Sequence, residues 1–154
     1  MTHPARLLFA LAFFLAGPAS AAEITNDILA YEREILAISC DKITFMPGSI
    51  EMTDLNDDGR NDAIVDYQYL DCDGSMNAFC GSGGCTLRLY SGLADGRFAA
   101  TADLLSEGLK IRKVKGKTKL YISLDGGACG KSGASSCTLV GHLTDEALIV
   151  ESQK

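Results

Sequence analysis

Apolar residues at the start of the chain form one uninterrupted block. Leu7–Ala16 contains only Leu, Phe and Ala; Arg6 precedes it and Gly17-Pro18 follows it. Ala19–Ala22 then offers the small residues that a signal peptidase requires. The block is too short to stay in a bilayer as a helix, which takes about 20 residues. We therefore predict that residues 1–22 are a cleavable signal peptide and that residues 23–154 are one exported domain.

The pattern changes to helical spacing after this leader. Ile28, Tyr31 and Ile35 recur at intervals of three and four residues, which places them on one face of an α-helix. Asn26 is a suitable N-cap, and Asp27 would put a negative charge in the first turn, where the helix dipole favours it. The sequence predicts a helix over residues 24–38 that ends near Cys40.

Beyond residue 48 the chain alternates between short apolar-polar segments and turn residues. Turn dipeptides such as Ser91-Gly92 and Asp95-Gly96 separate segments of strand length. The predicted strands are 49–53, 63–70, 85–90, 98–105, 109–114, 119–124, 138–143 and 147–151. Short strands joined by tight turns favour antiparallel pairing. We predict a mainly β (α+β) fold, an antiparallel meander or small sandwich with the N-terminal helix over one face.

Six cysteines remain after the leader: Cys40, Cys72, Cys80, Cys85, Cys129 and Cys137. An even number in an exported chain indicates disulfides, although the count alone leaves the pairing open. Residues 80–85 and 129–137 are short glycine-containing loops that can each close on themselves, which leaves Cys40 for Cys72. A zinc site would need reduced thiolates, and an oxidising compartment works against that. We predict three structural disulfides.

Charge narrows the choice of partners. Removing the leader leaves thirteen basic and twenty acidic residues, a formal charge of −7. Such a domain repels phosphate backbones and anionic lipid surfaces, so we expect neither a nucleic acid nor a membrane as partner. Leu15-Ala16-Gly17 resembles the start of a lipoprotein signal, but Pro18 stands where the lipidated cysteine would be. We therefore expect no membrane insertion after cleavage. An acidic domain does suit divalent cations.

One acidic stretch has the spacing of a calcium loop. Between Asp54 and Asp62, side-chain oxygens occur at loop positions 1, 3, 5 and 9, a glycine at position 6 and an available backbone carbonyl at position 7. Calcium takes six to eight oxygen ligands, and this spacing wraps oxygens around a point. Position 12 is Val65, so an EF-hand is excluded, and an apolar strand follows at once. The competing interpretation is an acidic hairpin turn whose side chains bond their own backbone.

This loop and the strand after it resemble FG-GAP/VCBS repeats, the blade units of integrin-type β-propellers. The resemblance covers residues 50–98, about one repeat: the acidic loop, the following Ala-Ile-Val, and a closing strand, glycine turn and phenylalanine that end at Phe98. A single repeat cannot build a propeller, so the resemblance implies a metal loop and a hairpin and not the family's whole fold. It implies Ca²⁺ as cofactor, with the ligands Asp54, Asn56, Asp58, Arg60 (by its carbonyl) and Asp62.

No catalytic constellation stands out in the mature sequence, so we predict a protein that is not an enzyme. The leading hypothesis is a periplasmic or secreted, calcium-stabilised domain that binds a protein or a surface glycan. The alternative is an inhibitor-like protein whose clipped loops, 80–85 and 129–137, block an enzyme's cleft. A small hydrolase with His142 as base ranks last. A basic run over residues 110–119 predicts a solvated edge strand or a docking site for an acidic partner.

Overall fold

One α-helix and eleven β-strands form the regular structure of the residues that the computed structural model describes, 21–131 and 135–154. The helix α1 spans Ala21–Leu36. The strands are β1 (Ile43–Phe45), β2 (Ile50–Thr53), β3 (Asp62–Asp66), β4 (Leu70–Cys72), β5 (Cys80–Gly81), β6 (Gly84–Gly92), β7 (Phe98–Ser106), β8 (Gly108–Val114), β9 (Lys117–Leu124), β10 (Cys137–Leu143) and β11 (Leu148–Gln153). The predicted leader lies outside the described residues except for Ala21 and Ala22. Within the described ranges no helix is long and apolar enough to cross a membrane.

The two main sheets pack face to face as a small sandwich. The first sheet has the order β2-β3-β6 with β5 beyond and β7 on the other side of β6; the second is the meander β11-β10-β9-β8. Every pairing in both sheets is antiparallel. The fold class predicted from the sequence, mainly β with one helix and antiparallel strands, is confirmed.

Alternation along the strands builds the core between the sheets. Thr118, Leu120, Ile122 and Leu124 are the buried positions of β9, while the residues between them face outward. Leu120, Ile122 and Leu124 meet Leu87 and Leu89 of the first sheet in one apolar cluster. Each such aliphatic side chain contributes about 1.5–3 kcal/mol when it is fully buried.

Helix α1 covers the outer face of the first sheet, so the domain has three layers. A second apolar cluster there joins the helix to residues such as Val65 and Tyr90, which point away from the sandwich core. The predicted contact face of the helix was wrong in part. From residue 28 onward the buried positions of the helix are Ile28, Glu32 and Leu36, four residues apart, whereas Tyr31 is 49 % exposed.

Three predicted boundaries need correction. The helix begins at Ala21, so Asn26 lies inside it and not at its N-cap. The helix ends at Leu36 and not near Cys40. The predicted strand 63–70 is broken after Asp66, whose carboxylate accepts the Gln68 N–H at 2.9 Å and caps a short 3₁₀ turn. The chain then resumes as β4, which pairs with β1 in a small separate sheet.

The predicted disulfide pairing is confirmed for all six cysteines. Cys40–Cys72 ties the segment after α1 to β4, with Cα atoms 5.5 Å apart. Cys80–Cys85 joins directly opposite residues of the β5–β6 hairpin. Cys129–Cys137 closes the loop between β9 and β10, in which residues 132–134 lie outside the described ranges. Three disulfides indicate an oxidising compartment.

Candidate functional site

The acidic loop predicted from the sequence connects β2 and β3 at one end of the sandwich. Thr53 and Asp62, the residues that flank it, are directly opposite each other in the antiparallel pair. Gly59 has φ of +83°, a left-handed conformation that glycine adopts without strain. The loop is therefore a strand–loop–strand unit, as its sequence predicts.

Asp54 organises the first half of this loop. Its Oδ1 accepts the backbone N–H of Asp57 at 2.7 Å and of Asp58 at 3.3 Å, and its Oδ2 accepts that of Gly59 at 2.9 Å. The amide of Asn56 adds a further bond, since its Oδ1 accepts the Asp58 N–H at 3.2 Å. One carboxylate thus satisfies three donors of a segment that makes no ladder bonds of its own.

Arg60 supplies a cation within the loop itself. Its guanidinium forms an ion pair with Asp58 and lies 3.2 Å from Asp145, in the turn between β10 and β11. Its Nε donates to the carbonyl of Gly92 at 2.7 Å. Asn56 also reaches Asp145, donating from Nδ2 at 2.9 Å. The loop is therefore fixed to two neighbouring turns.

Asp62 anchors the loop from the inside and is fully buried. Its Oδ2 accepts the Leu55 N–H at 2.7 Å and its Oδ1 accepts the Gly92 N–H at 2.9 Å. Burial raises the pKa of the Asp62 carboxyl, and the charges of Asp58 and Asp54 add to that rise. A Cβ atom on Gly92 would lie 2.2 Å from the carbonyl oxygen of Asn61, so only glycine permits this close approach.

The donor atoms of the loop fit calcium in kind. The side-chain oxygens of Asp54 and Asn56 both lie within hydrogen-bonding distance of one backbone N–H, that of Asp58, so they are neighbours. Asp54 Oδ2 and Asp58 Oδ1 each accept one backbone N–H and keep a lone pair beyond it, whereas Asp54 Oδ1 already accepts two. Closing these oxygens around an ion requires side chains to rearrange, above all Arg60, which now neutralises Asp58.

No three carboxylates of the acidic loop have ligand oxygens within 4.8 Å of one another. Among the described residues, the Asp, Glu, His and Cys side chains whose ligand atoms lie within 4.8 Å of one another as a threesome are Cys40, Cys72 and Asp73. Two of these are joined in a disulfide, and Asp73 accepts the backbone N–H groups of Asp41 and Lys42. That threesome is therefore part of the disulfide's surroundings and not a metal site.

Asp57 was not singled out by the sequence, yet it carries the main link from the loop to the second sheet. Its φ is +64°, which turns the carboxylate toward β9. It accepts the Thr118 N–H at 2.8 Å and the Thr118 hydroxyl at 2.6 Å, and it forms an ion pair with Lys113. Lys113 and Thr118 hold the pKa of Asp57 well below its ordinary value. Lys113, which belongs to the predicted basic run, therefore helps to hold the acidic loop against the second sheet.

A second polar cluster, also missed by the sequence analysis, lies beneath helix α1. Glu32 is 0 % exposed and is the centre of the cluster. The hydroxyls of Tyr67 and Tyr90 each donate a short hydrogen bond to a different oxygen of its carboxylate, that of Tyr67 at 2.5 Å. Arg88 approaches to 3.4 Å and pairs with Asp103 at 2.8 Å on its other side. No buried side-chain nitrogen or oxygen of the cluster therefore lacks a hydrogen-bond partner.

We predict that the folded domain loses stability in alkali because of Tyr67 and Tyr90. Burial and the neighbouring Glu32 carboxylate raise the pKa values of Tyr67 and Tyr90 above the ordinary value of 10. Above about pH 10 the unfolded chain releases these protons and the folded chain keeps them, so unfolding becomes easier by about 1.4 kcal/mol per pH unit for each tyrosine. Below that pH the contribution is constant. Urea unfolding from about pH 9 to pH 11 measures the slope.

A tyrosine variant controls for other alkaline effects. The double change Tyr67→Phe and Tyr90→Phe should flatten the decline, while Tyr69→Phe, at an exposed ring, should leave it unchanged. An equally steep decline in the double variant would show that these hydroxyls are not its source.

Both short disulfide loops lie at the end of the sandwich opposite the acidic loop. Cys85 pairs with Ser106 at the end of β7, and Gly108 at the start of β8 pairs with Ser123. Leu124, the next residue, pairs with Cys137. These pairings place the two loops side by side; we name residues 80–85 together with 126–131 and 135–137 the clipped end.

His142, the predicted base of the hydrolase hypothesis, is committed to another contact. Its Nδ1 lies 2.8 Å from Glu151, and Lys119 forms an ion pair with the same carboxylate oxygen. Within residues 21–131 and 135–154, no serine hydroxyl is hydrogen-bonded to this histidine. The arrangement is that of a cross-strand charge cluster on an exposed sheet surface.

Comparisons with protein-family models, with curated proteins and with solved structures found no match to the chain. The resemblance of residues 50–98 to FG-GAP/VCBS repeats stays a prediction.

Proposed function

We propose that the chain is an exported, non-enzymatic binding domain, stabilised by calcium, which recognises a protein or a surface glycan. The observation that supports the binding role is an open cleft between α1 and β7. Disulfides and buried polar contacts hold the elements around this cleft in place. Sites of this kind combine aromatic surface with a few placed polar groups. The leader-like residues 1–22 and the disulfides support the periplasm or the medium as its compartment.

The calcium part of the proposal rests on the donor chemistry of the loop. Asp54, Asn56 and Asp58 would bind the ion through their side chains, and Arg60 through its backbone carbonyl. Asp62 would either turn away from its two backbone partners to bind the ion or keep those bonds and support the loop from the interior. Calcium would relieve the repulsion among these carboxylates and strengthen the joint between the sheets. The ion is proposed as a structural element and not as a reactant.

Calcium should raise the unfolding temperature of the mature domain. An ion that binds only the folded state adds about 2.7 kcal/mol at one hundred times its Kd, which raises the midpoint by several degrees in a domain of this size. Thermal melting in calcium and in chelator measures the shift. Asp58→Asn should reduce it, while Asp41→Asn, at an exposed aspartate outside the loop, should not. An identical midpoint in calcium and chelator would remove the metal from the proposal.

The clipped end favours a second candidate, an inhibitor-like protein that blocks an enzyme. Two covalently closed loops that project from one end lose little conformational entropy when they enter a cleft. Leu105 is exposed beside Gly83 at this end and would add apolar contact. Hydrogen exchange on a complex separates the candidates, because protection would appear at the clipped end for the inhibitor and at the α1–β7 cleft for the binding domain.

A further inference from the structure

The cleft between α1 and β7 consists of two adjoining cavities. Their volumes are about 310 Å³ and 350 Å³, and Tyr31, Tyr90 and Ala100 line both. The first cavity has mainly apolar walls; the second brings Arg88, Thr101 and Asp103 to the surface. We name the two together the α1–β7 cleft.

One wall of the cleft offers an aromatic face. Tyr31 is half exposed, and its ring packs edge-to-face against that of Tyr90 with centroids 6.1 Å apart and an interplanar angle of 88°. Such a contact restricts the ring, so little side-chain entropy is lost when a ligand covers it. The Tyr31 ring is therefore held in place on the flank of the helix while about half of its surface is open to a ligand.

The opposite wall offers a planar donor beside a planar acceptor. The Arg88 guanidinium and the Asp103 carboxylate form an ion pair at 2.8 Å, and the Asp103 side chain is 57 % exposed. Beneath them the buried Glu32 holds the inner side of Arg88. Burying a charge is costly unless it is paired and hydrogen-bonded, as Glu32 is here. The cluster under the helix therefore positions Arg88 in this wall of the cleft.

Charge in the cleft disfavours an anionic ligand. Two carboxyl groups, those of Glu32 and Asp103, face the single guanidinium of Arg88. Arg97, at the mouth of the cleft, is paired with Asp95 at 2.7 Å. Neither arginine has an unmatched charge to offer a phosphate or a carboxylate, so an anionic ligand is disfavoured. Arg88 and Asp103 side by side offer a donor and an acceptor, which suit the hydroxyl groups of an uncharged ligand.

An extended peptide fits this cleft less well than a sugar does. A peptide would add a strand to the free edge of β7, but β7 has a bulge opposite Leu89 and Tyr90. There the Thr101 hydroxyl donates to the Leu89 carbonyl at 2.9 Å. A bulge interrupts the regular ladder that strand addition needs and is a common means of protecting an edge.

We infer that the α1–β7 cleft binds an uncharged carbohydrate, an inference that rests on the proposed binding function and names its ligand class. The apolar C–H face of a sugar ring stacks on Tyr31. Neighbouring hydroxyl groups donate to Asp103 and accept from Arg88, and each such charge-assisted bond is stronger than a neutral one.

Calorimetric titration of the mature, oxidised domain in calcium tests this inference. The probes are neutral trisaccharides of glucose, galactose, mannose or N-acetylglucosamine, with trigalacturonate as the charged comparison. At least one neutral probe should bind more tightly than trigalacturonate. Tyr31→Ala should weaken it by about tenfold or more, while urea unfolding shows that the variant is still folded under the titration conditions. Asp103→Ala should weaken it as well, while Tyr69→Ala, at an exposed ring outside the cleft, should bind as the unaltered domain does.

Three results would overturn the inference: no neutral probe binding below about 10 mM, preferential binding of trigalacturonate, or unchanged sugar affinity in Tyr31→Ala. A purified protein partner whose binding survives Tyr31→Ala would overturn the carbohydrate assignment and leave the proposed binding function standing. A partner bound at the clipped end in hydrogen exchange would instead favour the inhibitor candidate.

Discussion

Replacing Glu32 with Ala should destabilise the domain by about 3–5 kcal/mol, the cost of breaking a buried charge pair by removing one partner. The change leaves the hydroxyls of Tyr67 and Tyr90 without acceptors under the helix. It also removes the inner partner of Arg88, which is only partly exposed. Urea unfolding near pH 7, with the slope compared between variants, measures the loss.

Glu34→Ala is the matched control for this experiment. Glu34 lies on the same helix but faces solvent, so its removal should change stability by no more than about 0.5 kcal/mol. If Glu32→Ala were as stable as Glu34→Ala, the polar cluster would contribute nothing to the contact between helix and sheet, and its role in positioning Arg88 would also lose its basis.

Removing the Cys40–Cys72 disulfide should cost about 3.5 kcal/mol on the loop-entropy account of cross-links. This bond closes the largest of the three loops, with a sequence separation of 32. It is also the covalent link between the segment after α1 and β4. We expect the change of both cysteines to serine to lower the urea midpoint clearly, measured without reductant so that the other two bonds stay closed.

The Cys80–Cys85 pair is the comparison for this prediction. Its sequence separation is 5, and the same account gives about 2.2 kcal/mol for its removal. A larger loss at Cys80–Cys85 than at Cys40–Cys72 would contradict the entropic ordering and would place the stabilisation in the geometry of the hairpin.

The strand pattern was predictable because the sandwich core obeys a simple rule. Leu120 and Ile122 alternate with outward residues on β9, and their period of two is visible in the sequence. The disulfides were predictable for a similar reason, since two of the three close short local loops. Strand ends were less predictable: Asp66 breaks a run of strand-forming residues because its side chain bonds its own backbone two residues on.

The polar cluster beneath the helix was not predictable from periodicity. A helical-face argument searches for apolar residues, so it selected Tyr31 and passed over Glu32, which occupies the buried position one residue later. The partners of Glu32 are Tyr67, in the 3₁₀ turn after β3, and Tyr90, in β6, which lie 35 and 58 residues further along the chain. No local pattern carries that information, because the pairing exists only after β3 and β6 have met beneath α1.

The acidic loop shows the same limit. Asp54, Asn56, Asp58 and Asp62 were identified from their spacing, and the bonds of Asp54 to its own loop are local enough to be inferred. Asp145 and Thr118 reach the loop from distant parts of the chain. Their contribution became visible only when the two sheets were seen packed together.

The meander of the second sheet has a consequence for the order of folding. Strands β8 to β11 pair only with neighbours in sequence. The first sheet must instead bring β3 to β6 across an intervening segment, and the small separate sheet must bring β1 to β4 around two strands. Local pairing is faster than pairing across long chain separations. During synthesis the N-terminal half emerges first, yet the half whose sheet pairs only neighbours in sequence emerges last. The Cys40–Cys72 cross-link, which spans only residues of the early half, can hold that half near its final topology until the late-emerging meander provides the surface on which it packs.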